Sequence, residues 1–167
     1  MLRRLGTGMT IVAWVSALAL LTLLFSDLLD RHENPNRNVQ ALGGPEGAKE
    51  VVLERNRAGH YVADGRINGQ PVIFLLDTGA TDVAIPEAVA RRIGLDRGRP
   101  RLSRTAAGDV TTWSTLLHNV DLGGIKLYTI PASILPDLAG EQVLLGMSYL
   151  KRLELVQRGD TLTLRYP

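Results

Sequence analysis

Val72-Ile73-Phe74-Leu75-Leu76-Asp77-Thr78-Gly79-Ala80-Thr81-Asp82-Val83-Ala84-Ile85 decides how this chain folds. Two apolar runs, rich in branched and aromatic residues, flank a short polar loop, the pattern of strand, tight turn and strand. The near-continuous run 72–76 predicts a strand buried on both faces. A carboxylate at the end of such a strand is costly unless something pairs or uses it. Thr78 puts a hydroxyl beside Asp77, and Gly79 lets the backbone turn sharply there. This grouping suits a carboxyl group held rigid at the floor of a cleft, although a lone Asp in a turn more often has a structural task.

The flanking sequence extends the β reading. Residues 51–53 and 60–67 read as strands around the turn Asn56-Arg57-Ala58-Gly59, and Asn68-Gly69 predicts a type I′ hairpin into 71–76. Residues 86–93 read as a short helix, with Pro86 at its start, Glu87 in the first turn and Gly94 at its end. Segments 101–106 and 110–116 flank Ala107-Gly108-Asp109 as a hairpin with a small tip, and 120–122 and 125–130 flank Gly123-Gly124 as another. Residues 143–145 read as a short buried strand ending at Gly146, 148–153 as one or two helical turns, and 155–157 and 161–165 as a last hairpin. There is no internal repeat.

The amino terminus differs in kind. Residues 9–25 carry no charge, enough to cross a bilayer at the short end of the usual range of roughly 17–25 residues. Arg3 and Arg4 precede them, and Asp27 and Asp30 follow. Positive flanks stay in the cytoplasm, which predicts a cytoplasmic tail 1–8, a signal anchor 9–25 and the rest of the chain outside the cytoplasm. Phe25-Ser26-Asp27-Leu28-Leu29 makes a poor cleavage site, which favours an anchor over a removed signal peptide. Residues 26–49, with Asn34-Pro35-Asn36 and Gly43-Gly44-Pro45, read as a linker, and 50–167 as one folded domain.

The formal net charge of the 167-residue chain is +2, which Arg3 and Arg4 alone supply. It gives no electrostatic case for nucleic acid. There is no cysteine, so disulfides, zinc–thiolate sites and a cysteine nucleophile are excluded. His32, His60 and His118 lack metal-ligand spacing, and no phosphate loop or dinucleotide fingerprint is present. Neither metal nor cofactor is expected. Ser148 follows Gly146 but forms no nucleophile elbow, since the second glycine is missing. The run Arg91, Arg92, Arg97, Arg99, Arg101, Arg104 reads as a solvated face before it reads as a site for acidic partners. Trp113 reads as core before it reads as pocket lining.

Asp77-Thr78-Gly79-Ala80-Thr81 and, later, Val143-Leu144-Leu145-Gly146-Met147-Ser148-Tyr149-Leu150 together resemble the retropepsin-like aspartic proteases, most closely a bacterial membrane-anchored branch. The resemblance covers about 50–167. It implies an all-β, closed barrel domain with one or two short helices, preceded here by a single transmembrane helix. It makes Asp77 the catalytic carboxyl, with Thr78, Gly79 and Ala80 supporting its loop. It places Thr81, Asp82, Ala107 and Gly108 against substrate, the last two at the tip of a flap. Leu144, Leu145 and Gly146 become the structural signature packed against the loop, and 161–166 resembles the strand that joins two protomers.

Hydrolysis by this route needs two carboxyl groups sharing a proton, and the motif occurs once. The active unit is therefore expected to be a homodimer acting on an extended peptide or protein segment, on the periplasmic side of a bacterial inner membrane. A non-catalytic, membrane-tethered binding module on the same fold is the alternative. Self-cleavage in the linker is a smaller expectation.

Overall fold

A computed structural model of the chain describes residues 2–43, 47–105 and 108–166. The chain divides after Glu33 into two compact units. The first is one helix, α1 (Leu2–Glu33), whose 18-residue window Gly8–Phe25 is long and apolar enough to cross a membrane.

The second unit is mostly strand: β1 (Leu42–Gly43), β2 (Lys49–Glu54), β3 (Val62–Ile67), β4 (Gln70–Leu76), β5 (Val83–Pro86), β6 (Pro100–Thr105), β7 (Gly108–Leu122), β8 (Ile125–Leu135), β9 (Gln142–Leu145), β10 (Glu154–Arg158) and β11 (Thr161–Tyr166). Two short helices interrupt them, α2 (Glu87–Arg92) and α3 (Met147–Leu150). Strands β3-β4-β9-β5-β8-β7 form a sheet that closes on itself, because β7 returns to β3 through Arg66↔Asp121 and Ile67↔Val120. Closure removes sheet edges and encloses a core. Phe74, Ile85, Leu117, Ile130 and Leu145 are fully buried there. β6 extends the sheet from β7, and β1-β2-β11-β10 forms a second, four-stranded sheet.

Local chemistry places the turns as the sequence predicts. Asn68 and Gly69 both have positive φ, 51° and 81°, as a type I′ turn requires. Three readings change. β4 alternates in burial, with Ile73 37% exposed, so it is not buried on both faces. β7 and β8 run longer than expected and carry the β8 pairing through Pro131, opposite Leu116. The third change concerns 26–49. Helix α1 continues to Glu33, and Asn34 and Asn36 are buried in the second unit. Asn36 Nδ2 donates to the carbonyls of Glu54 and Val62, its Oδ1 accepts from Glu54 N–H, and its carbonyl accepts from Asp64 N–H. Val39 and Ala41 pack on the core, and β1 pairs with β2. A stretch without apolar periodicity is held here by side-chain amides, and the second compact unit begins at Asn34. Strand β11, expected to join two protomers, has both edges paired within its own chain, to β2 and β10.

Candidate active site

Strands β4 and β5 are not neighbours. β9 lies between them, parallel to β4 at Leu76↔Leu145 and meeting β5 at Ala84↔Leu144. The loop 77–82 therefore spans two strand spacings, roughly 9–10 Å, across the end of β9. There the chain leaves β9 at Gly146 and turns into α3, and the two segments bond to each other. Asp77 N–H donates to Leu145 O (3.2 Å), Met147 N–H to Ala80 O (2.8 Å) and Ser148 N–H to Thr81 O (2.9 Å). A Cβ on Gly146 would stand 2.2 Å from Asp82 O and 2.7 Å from Ala80 O. Leu145 is buried and Leu144 half-buried in the same strand.

Asp77 sits half-buried at the start of the loop. Its Oδ1 accepts from Gly79 N–H at 2.8 Å, and its carbonyl accepts from Ala80 N–H at 3.3 Å. The carboxyl group is thus held by its own loop, whose backbone is anchored from β9 and α3. Thr78, Gly79 and Thr81 are exposed and Ala80 is half-buried. Because β4 is open to solvent on one face, Asp77 borders an opening rather than a dry interior.

Asp82 closes the loop and pairs across to β6, with Oδ2 3.7 Å from Arg101 Nη1. The structure thus ties the loop to the first strand of the hairpin whose tip was expected to be a flap. Gly108 stands opposite Thr105 at the far end of that hairpin with φ 112°, a conformation that favours glycine. Ala107 lies outside the described residues. The basic run is largely matched by nearby acids. Arg91 and Arg97 reach Glu87, Arg101 reaches Asp82, and Arg104 reaches Asp109. Arg97 also lies over the ring of half-buried Trp113, 4.0 Å from its centroid. This arrangement favours the solvated-face reading.

Sequence reasoning passed over Ser148 beyond dismissing it as a nucleophile. Its buried hydroxyl donates to Pro131 O (2.8 Å) on β8 and accepts from Val83 N–H (3.0 Å) at the loop's exit. Its one local signal was its place directly after Gly146-Met147. Beside it Tyr149 is fully buried and its hydroxyl donates to Ile125 O at 2.8 Å. Burial, helped by the charge of Asp121, raises the Tyr149 pKa well above its ordinary value.

A protein-family model described as "gag-polyprotein putative aspartyl protease" matches residues 63–152. An uncharacterised Sinorhizobium protein is 35% identical over 124 residues, 72% of this chain and 53% of that protein. An uncharacterised protein of Rickettsia prowazekii is 29% identical over 110 residues, 62% of this chain and 45% of that protein. The chain spans about half the length of these curated relatives. Among solved structures, a retropepsin-like aspartic protease from Rickettsia conorii superposes with a TM-score of 0.58 at 26% identity, covering 77% of this chain and 94% of that one. With the closed sheet and the β4–loop–β5 crossing over β9, this likeness makes the domain's fold retropepsin-like.

Proposed function

The chain belongs to the gag-polyprotein aspartyl protease family, and on that premise we propose that it is an aspartic endopeptidase whose site joins the Asp77 carboxyls of two copies. The observation that carries this reading is the loop 77–82. A half-buried carboxyl group accepts from Gly79 N–H, its loop is held by Asp77 N–H donating to Leu145 O and by Met147 and Ser148 N–H donating to Ala80 O and Thr81 O, and the motif occurs once in the chain. In the proposed dimer two like charges in contact cannot easily both ionise, so the pair holds one proton. The ionised Asp77 takes a proton from a water molecule, which attacks the scissile carbonyl. The protonated Asp77 donates a hydrogen bond to that carbonyl oxygen and steadies the oxyanion. Collapse of the tetrahedral intermediate breaks the C–N bond as the leaving nitrogen takes the proton that the first Asp77 drew from water, which returns the pair to a single shared proton.

Thr78, exposed beside Asp77, is assigned to bond across to the partner loop, and Gly79 to let substrate backbone approach. Thr81, Asp82, Ala107 and Gly108 are assigned to substrate. Since β11 is already paired on both sides, the protomer contact is assigned to other surfaces. Helix α1 is read as an uncleaved anchor, with Arg3 and Arg4 cytoplasmic and the domain on the periplasmic side.

The test is hydrolysis of an unfolded protein by the full chain in detergent, at acidic and neutral pH. Asp77→Asn is expected to abolish cleavage while leaving the fold intact. Mixing it in equal amount into wild type, with exchange, leaves about one quarter of dimers fully active. Cleavage retained by Asp77→Asn refutes the assignment. No cleavage by wild type at any pH favours the non-catalytic binding module.

A further inference from the structure

Ser148 makes three hydrogen bonds around the loop's exit. Its N–H donates to Thr81 O, its Oγ accepts from Val83 N–H, and the same Oγ donates to Pro131 O. The residue is 5% exposed, and Val83 is fully buried. Between the two bonded loop positions lies Asp82, the residue paired with Arg101 on β6. Pro131 has no N–H of its own, so β8 offers the loop only a carbonyl here. Val83 N–H is a donor, and a hydroxyl that both accepts and donates joins the two. Alanine would leave a buried donor and a buried acceptor unmet, and the nearest relief is movement of residues 81–83.

We infer that Ser148 is a positioning residue for the catalytic loop, setting the exit of 77–82 against β8 and thereby fixing where Asp77 and Asp82 stand. The inference rests on the assignment of Asp77 as the catalytic carboxyl. Ser148 itself touches neither substrate nor water in the reaction. Its loss acts through geometry, and a shift near one ångström in a catalytic group can cost roughly a hundredfold in rate. A smaller relaxation costs about tenfold.

The experiment compares wild type, Ser148→Ala and Ser148→Cys as full chains, in two readouts. In the first, Ser148→Ala lowers kcat about tenfold or more with KM changed less than about twofold, and it displaces the acid limb of the kcat–pH profile, because the spacing of the coupled carboxyls changes. Ser148→Cys, close in volume and a weaker hydrogen-bonding group, falls between, and it keeps the question open to decision if alanine does not fold. In the second, amide hydrogen exchange is measured in an Asp77→Asn background. Val83 and the amides of 77–82 exchange faster in Ser148→Ala, while β3 and β7 amides keep their rates. If wild type cleaves nothing but loop exchange rises selectively, the proposed activity fails, and with it the catalytic part of the inference, while Ser148's hold on the loop 77–82 stands. If kcat, KM, pH profile and loop exchange all match wild type, or if exchange rises evenly across the domain, the inference is overturned.

Discussion

Replacing Gly146 with alanine tests how closely the loop is built around β9. Gly146 has φ −87° and ψ −174°, extended backbone that alanine adopts without strain, so only space demands glycine there. The added Cβ would stand 2.2 Å from Asp82 O, 2.7 Å from Asp82 C and 2.7 Å from Ala80 O. All three are backbone atoms, and no rotamer change relieves them. Normal contact requires the Asp82 carbonyl to retreat by about 1 Å. Overpacking of this kind costs about 1–3 kcal/mol. The retreat also weakens the bonds from Met147 and Ser148 to Ala80 O and Thr81 O, each about 1 kcal/mol. The expected loss is about 2–4 kcal/mol, or about 8–16 °C in melting temperature for a domain of this size. Gly59→Ala is the control. Gly59 has φ +86° with nothing within 4 Å of its added Cβ, so it suffers backbone strain alone, about 1–2 kcal/mol. Melting and urea unfolding of both variants check the argument. If Gly146→Ala melts within about 2 °C of wild type, or no lower than Gly59→Ala, the loop is not packed on β9 as described.

Two further expectations concern the rest of the domain. Asn36→Ala removes three buried side-chain bonds, to Glu54 O, to Val62 O and from Glu54 N, for about 2–4 kcal/mol; chains beginning at Asn34 should accordingly unfold at higher urea than chains beginning at Glu50, and equal midpoints would make 34–49 dispensable. Tyr149→Phe leaves Ile125 O without its buried partner and costs about 1 kcal/mol. Because the folded-state pKa of Tyr149 is raised, its stabilising contribution is full below the unfolded tyrosine value of about 10 and is lost as pH rises beyond it. Unfolding midpoints between neutral pH and pH ~11 should therefore fall less steeply in the phenylalanine variant, and identical slopes would refute the link.

Much of the fold was legible because its turns declare themselves chemically. Asn68-Gly69, Gly123-Gly124 and Gly159 all take the positive φ values their hairpins need. The loop and its partner segment 143–150 were legible as a pair from their order in the chain. Other features were hidden because long-range neighbours decide them. Nothing within 34–36 announces burial. Asn36 goes inside because Glu54, Val62 and Asp64 present backbone groups that need partners, and Asn34 because its Nδ2 donates to the Asp64 carboxylate while its Oδ1 accepts from Asn36 N–H. The alternation of Leu162 and Leu164 in β11 says which face is buried, and it is silent on which strands lie at its edges. Likewise, the Asp82–Arg101 pair and the bond from Ser148 to Pro131 depend on β6 and β8 coming alongside, which spacing does not encode.

In the proposed dimer, rigidity and chemistry come from different sources. Among the described residues, Gly79, Leu145, Met147, Ser148 and the space left by Gly146 brace the Asp77 loop within its own chain, before any bond from Thr78 of the other copy. The second copy brings the other carboxyl, with no need to order the first. Association then joins two preorganised halves and avoids the cost of ordering loops at the interface, about 0.5–1.5 kcal/mol for each immobilised side chain. A modest contact area suffices under that condition, consistent with β11 being engaged within its own sheet. If α1 confines both copies to one membrane, their effective concentration rises as well, so a contact too weak to hold in dilute solution can still assemble the site. The brace around residue 77 is thus what allows half a site to be made and kept in each chain.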